Sequence, residues 1–301
     1  MTKKSNTQLD NSLSHLAKYL EHKELVELIV NRPGEIWLET RSGWVVKNDS
    51  KIDNNYLLSL GRLLAQISGQ KFDEEMPLLS CTLPAPYHYR VQMVSDRVND
   101  HGYGLAIRVG AAVTFELSKW FNEEEVQILL DALATKKNIL VAGGTSSGKT
   151  TFLNSLLRLV DMDERIITIE DARELVITQK NHTAFLKAKS GTDIARISYI
   201  DLINSAMRMR PDRIILGELD IQNSLPFLRI LNTGHGGSMA TVHADGVDEA
   251  LEAIALNVSL SGQGTTDSAA TLAYVKKAID IVVHLHRVDR TTYEAKLEKI
   301  K

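Results

Sequence analysis

The sequence lacks most of what marks a secreted, membrane-spanning or nucleic-acid-coating protein. It has a single cysteine, Cys81. That excludes an internal disulfide and a multi-cysteine zinc site. Cys81 lies in the apolar run Leu78-Leu79-Ser80-Cys81 and reads as a small core residue. No apolar run approaches the roughly 18 residues of a membrane helix. The first residues, Met1-Thr2-Lys3-Lys4-Ser5-Asn6, are polar and lack the apolar core of a signal peptide. A cytoplasmic chain is expected, with peripheral attachment to a membrane through partners left open. Positive charge is not in excess: 35 Lys and Arg stand against 38 Asp and Glu, a net charge of −3. The chain as a whole is therefore not built to coat nucleic acid, although a local basic patch stays open. There is no aromatic–basic run, no internal repeat and no low-complexity tract.

What is present begins with Gly143-Gly144-Thr145-Ser146-Ser147-Gly148-Lys149-Thr150-Thr151. It fits G-x-x-x-x-G-K-[ST], the phosphate-binding P-loop. Lys137 to Ala142 before it reads as a short buried strand. Thr151 to Val160 after it carries apolar residues at helical spacing. Strand, glycine loop and helix are the context the motif requires. The glycines let consecutive backbone N–H groups surround a β-phosphate, and the helix N-terminus adds its positive end. Gly144, Thr145, Ser146, Ser147, Gly148, Lys149, Thr150 and Thr151 are the candidate nucleotide-binding residues. Lys149 would reach the β/γ-phosphates and Thr150 would ligate Mg²⁺.

The 301 residues, 44% apolar, suffice for one large or two medium domains. Residues 1–113 read as a small α+β unit. It has helices over about 8–22 and 53–68, and strands at 26–30, 35–40, 44–46, 78–83, 90–94 and 105–109. Residues 114–122 read as a linker, with 123–301 as the P-loop domain. Strands at 165–169, 213–216, 238–242 and 279–285 alternate with helices near 123–135, 199–209, 221–231, 247–258 and 267–278. That alternation implies a mostly parallel sheet covered on both faces. Ser259 to Ser268 reads as a mobile loop.

Three further constellations stand at strand ends, where an open parallel sheet presents its ligands. Glu170-Asp171 follows an apolar strand; the pair can hold metal-bound water or simply cap a turn. Gly217-Glu218 ends a second such strand, expected beside the P-loop strand, and its carboxylate can orient or deprotonate water. His235 is flanked by glycines in Gly234-His235-Gly236-Gly237 and is placed to touch a γ-phosphate. For His243, past the next strand, packing and function weigh equally.

The order of these motifs behind a small N-terminal domain resembles the type II/IV secretion ATPase family, the hexameric ATPases of secretion and conjugation machines. The resemblance rests on Gly143–Thr151, Ile169–Leu175, Arg208–Glu218 and Asn232–His243. In the first domain it rests on Val30-Asn31-Arg32-Pro33-Gly34-Glu35, Arg90-Val91-Gln92 and Ala106-Ile107-Arg108. The Asn-Arg-Pro-Gly-Glu and Arg-Val-Gln stretches look like the type IV branch. The resemblance implies a RecA-like P-loop NTPase domain behind the α+β domain, a homohexameric ring, and ATP with Mg²⁺ bound between the two domains. It implies Glu218, Glu170, Lys149, His235, Arg90 and Arg108 as catalytic residues, and Thr150, Glu170 and Asp171 at the metal. It also implies secretion-system partners, such as a channel and a coupling protein, at the cytoplasmic face of the inner membrane. A pilus motor with the same chemistry, a nucleic-acid-stimulated motor and a nucleotide-gated scaffold stand as alternatives. Two departures are visible. Asp220 stands where the family usually has arginine, with Arg229 a substitute to consider. Ser146 stands where glycine is common, harmless if its backbone is unstrained.

Overall fold

A computed structural model of the chain describes residues 7–84, 86–109, 114–187, 197–232, 234, 236–262, 267–289 and 292–301. Contacts divide these into two compact units. The described part of the first is residues 7–109 with 171–173; that of the second is 114–170, 174–187 and 197–301.

The first unit is a six-stranded sheet with two helices. Helix α1 is Thr7–Leu20 and α2 is Asn54–Ile67; the strands are β1 Leu25–Arg32, β2 Glu35–Thr40, β3 Gly43–Asn48, β4 Leu78–Thr82, β5 Arg90–Val94 and β6 Gly104–Arg108. The spatial order is β3-β2-β1-β6-β5-β4, with neighbouring strands antiparallel. Leu9, Leu13 and Leu16 of α1 and Leu57, Leu60 and Leu64 of α2 share one core with Leu28, Ile36, Leu79, Val91 and Ile107. Alternation makes this possible: along β2, buried Ile36, Leu38 and Thr40 alternate with the more exposed Glu35, Trp37 and Glu39. Asp53 starts α2 by accepting the Tyr56 N–H at 2.7 Å.

The second unit continues with helices α3 Glu123–Ala134, α4 Lys149–Leu157, α5 Tyr199–Arg208, α6 Ser224–Leu231, α7 Val247–Leu260 and α8 Ser268–Ala278. Its strands are β7 Ile139–Gly143, β8 Ile166–Glu170, β9 His182–Leu186, β10 Arg213–Leu216, β11 Met239–Val242, β12 Ile281–Arg287 and β13 Tyr293–Lys299. The order is β13-β12-β7-β11-β10-β8-β9, parallel except for β13. Strand residues alternate between two cores. Leu140 and Ala142 of β7 face a layer built from α5, α6, α7 and α8. Ile139 and Val141 face the other, with α3 and α4. Burial on both faces explains why these strands read as unbroken apolar runs. Capping boxes start α3 (Asn122 with Glu125) and α5 (Ser198 with Asp201).

Two sequence expectations need correction. The strand that ends in Gly217-Glu218 is not beside the P-loop strand: β11 lies between β10 and β7. Strands β9 and β13 were not expected; both are outer strands of the sheet. Of the expected loop at 259–268, residues 263–266 lie outside the described residues, while Ser259 and Leu260 belong to α7 and Ser268 opens α8.

Candidate nucleotide site

Register brings the chemistry to one edge of the second sheet. Ala142 pairs with Val242, Leu216 with Ala240, and Leu216 with Ile169. The residues after these strand ends therefore emerge together: the loop 144–148, His243, Gly217-Glu218 and Glu170.

The loop is shaped by glycine where nothing else fits. A Cβ on Gly143 (φ +157°) would collide with Leu285 O and Ser147 Oγ. Gly148, at φ +90°, precedes the first residue of α4. Ser146 also sits in the left-handed region, at φ +57°. Its backbone is thus strained, by about 1 kcal/mol for a residue with a Cβ, so the condition under which the serine would be harmless is not met. Lys149 is 8% exposed, and its Nζ donates to Gly143 O and Gly144 O, each at 2.8 Å. Ser147 Oγ is buried with no hydrogen-bond partner among the described residues. Space is open over Gly144, where an added Cβ would meet nothing nearer than Asp245 Oδ1 at 3.9 Å. An orphaned hydroxyl, an ammonium and a helix N-terminus behind a glycine loop together fit a polyphosphate.

Around the lysine a relay is assembled that sequence reasoning weighed evenly and left out. His243 Nδ1 lies 3.3 Å from Lys149 Nζ, and its Nε2 lies 2.7 Å from Glu218 Oε1. One neutral tautomer satisfies both contacts. With the proton on Nε2, the ring donates to the carboxylate and offers the Nδ1 lone pair to the ammonium. Glu218 is thereby linked to the P-loop although its strand is one removed from β7.

A second chain of contacts runs from Thr150. Its Oγ1 donates to Glu174 Oε2 at 3.2 Å. Glu170, at the buried end of β8, accepts the backbone N–H groups of Glu174 and Leu175 on one oxygen, each at 2.8 Å. Asn154 of α4 donates to Glu174 O at 3.0 Å and accepts from Val176 N–H at 2.9 Å. Glu170 therefore shapes the 174–175 turn, and Glu174 is the carboxylate presented to Thr150. Sequence reasoning gave Glu174 no role; its importance comes from a turn folded back onto α4. Gly217 keeps this tight, since a Cβ there would lie 3.3 Å from Glu170 Cγ.

Asp220 has a local task. Its Oδ1 accepts the Gln222 and Asn223 N–H groups, while Asn223 Oδ1 accepts the Asp220 N–H. Asn223 Nδ2 then donates to Glu218 O at 2.9 Å. Asp220 thus builds the turn that fixes the Glu218 backbone. Arg229 is exposed on α6.

The other expected residues belong to the first unit or lie outside the described residues. Arg90 and Arg108 pair directly across β5 and β6, and Arg108 faces Glu27 on β1. Burial raises the Glu27 carboxyl, with Arg108 pulling the other way and Glu39 adding to the rise. Asp171 groups with the first unit. His235 lies outside the described residues.

A sequence model of the type II/IV secretion system protein family matches residues 10–289. The chain belongs to that family. Among curated members, VirB11 of a Bartonella quintana type IV secretion system is 31% identical over 317 aligned positions, covering 92% of this chain and 88% of its own. PtlH of the Bordetella pertussis system is 32% identical over 308, covering 93% and 90%. The crystal structure of the Brucella suis VirB11 ATPase in complex with sulphate has a TM-score of 0.53 at 26% identity, covering 97% of this chain and 94% of that one. The fold is shared with the pilus retraction motor PilT bound to ADP, at TM-score 0.64, 17% identity, and 97% and 82% coverage. Among the described residues, no helix is long and apolar enough to cross a membrane.

Proposed function

We propose that the protein is the ATPase of a type IV secretion or conjugative transfer machine. The observation that carries this reading is the Glu218–His243–Lys149 chain of contacts at the P-loop. A phosphate clamp alone would bind a nucleotide. A carboxylate held beside the clamp can also orient a water and take its proton. Lys149 and the loop amides bind the triphosphate. Glu218 serves the attacking water, and His243 holds Glu218 in place. Thr150 Oγ1 would be the protein ligand for Mg²⁺, with Glu174 behind it and Glu170 setting the turn. When bound, that ion would neutralise charge on the phosphates. Arg90 and Arg108 offer guanidinia for the charge that develops on the transferred phosphoryl group. His235 reports the γ-phosphate.

The secretion branch is favoured over a pilus motor because the relatives at 31% and 32% identity are type IV secretion proteins, whereas the pilus motor shares only the fold. The working form is a homohexamer held by secretion-system partners at the cytoplasmic face of the inner membrane. Steady-state phosphate release tests the chemistry: Lys149→Ala and Glu218→Gln should each lose nearly all turnover, and a rate near that of the unaltered protein in either would sink the assignment. Mass photometry with and without ATP tests the ring.

A further inference from the structure

The segment 114–122 is bolted along the helix that begins at the P-loop. The Phe115 N–H donates to Ser155 Oγ of α4 at 2.9 Å, and Arg158 reaches Thr114 Oγ1 at 2.8 Å. Trp120 stands edge-on to Phe152, with centroids 5.1 Å apart, and to Phe115 at 5.9 Å. Tyr293 lies beside Gly148. It pairs with Arg287, at the end of β12 that carries Leu285, the partner of Gly143. Its ring edge is 3.7 Å from where a Cβ on Gly148 would stand. The exposed Lys119 Nζ lies 3.3 Å from the centroid of the Phe115 ring and 5.8 Å from that of Tyr293. One half-buried ring, Tyr293, thus borders the phosphate loop, and an ammonium set on the face of a second, Phe115, stands near both.

We propose that this corner seats the base of the nucleotide. The base stacks on Phe115 and Tyr293, and Lys119 moves off the ring to donate to acceptor nitrogens of the base. An exposed cation–π contact is weak, whereas base–aromatic stacking is stronger and tolerant of base identity, so a base displaces the ammonium from the ring face. This rests on the ATPase reading above. The bland alternative is that the rings only pack the linker against α4. In that case their loss would distort the loop for any phosphate ligand.

The test compares two ligands that share a polyphosphate and differ in the base. Calorimetric binding of ATP and of inorganic tripolyphosphate, both with Mg²⁺, is measured on the full chain and on Phe115→Ala, Tyr293→Ala and Tyr293→Phe. Each alanine variant should weaken ATP binding about ten-fold, the scale of one lost base stack, while leaving tripolyphosphate unchanged. Tyr293→Phe should keep the affinity for ATP. Equal weakening of both ligands, or unchanged ATP binding, overturns the stacking assignment. Failure of the unaltered protein to bind either ligand overturns the ATPase reading, and this assignment with it.

Discussion

Replacing His243 with alanine removes the link between Glu218 and the P-loop without touching either. Its two contacts set the expected size of the effect. The bond to Glu218 is short, 2.7 Å, but it joins side chains that are 51% and 46% exposed. Water competes for such a pair, so about 1 kcal/mol is a fair value. If that energy holds Glu218 for the attacking water, its loss lowers kcat by about five-fold. The 3.3 Å contact to Lys149 is long, and Lys149 keeps its bonds to Gly143 O and Gly144 O. The KM for ATP should therefore stay within about two-fold, and folding stability should change by less than about 1 kcal/mol. Phosphate release at varied ATP separates kcat from KM, and a urea titration checks the fold. His243→Gln, which keeps a donor, should recover part of the rate. An unchanged kcat in the alanine variant would refute the holding role. A raised KM at constant kcat would move His243 to ground-state binding.

Other outcomes follow from single contacts. Glu174→Gln should raise the Mg²⁺ concentration needed for half-maximal turnover several-fold, by weakening the charge behind Thr150; an unshifted Mg²⁺ curve would remove Glu174 from the site. Arg213 is 2% exposed and pairs with Glu164 through two bonds, at 2.6 and 3.0 Å, while also donating to Leu133 O and Gly237 O. Arg213→Met should cost about 3–5 kcal/mol in urea unfolding, and a loss below 1 kcal/mol would contradict the geometry. Burial pushes the Cys81 thiol up to about 12, so the native protein should react slowly with a thiol-specific reagent at pH 8 and rapidly once denatured. Fast native reaction would contradict a packed thiol.

The strands that build the site were legible because each is an apolar run, ended by glycine in β7 and β10, by an acid in β8 and by His243 in β11. Arg213–Leu216 and Arg90–Val94 match their expected bounds. Strands β9 and β13 were missed: His182–Leu186 is short and opens on two polar residues, and Tyr293–Lys299, although it alternates at strand period, is mostly charged. Spatial order was the other blind spot. Nothing in an apolar run ending in Glu218 says that β11 intervenes between it and β7, and so nothing announced that His243 would bridge the gap. Glu174 and Tyr293 carry no motif; only the folded-back turn and the final hairpin give them neighbours. Ser146 is a different case, since a residue name does not report its φ.

The placement of β7 has a consequence for how the protein is made. Ile139 finds its partners in Met239 and Ile281, both synthesised long after it. Until then the P-loop strand has no neighbour on either side, and pairings so distant along a chain are slow to form. The nucleotide cradle is therefore among the last parts to take shape on the ribosome. A nascent chain halted before Ile281 carries every residue of the P-loop and still lacks one of the two strands that flank it.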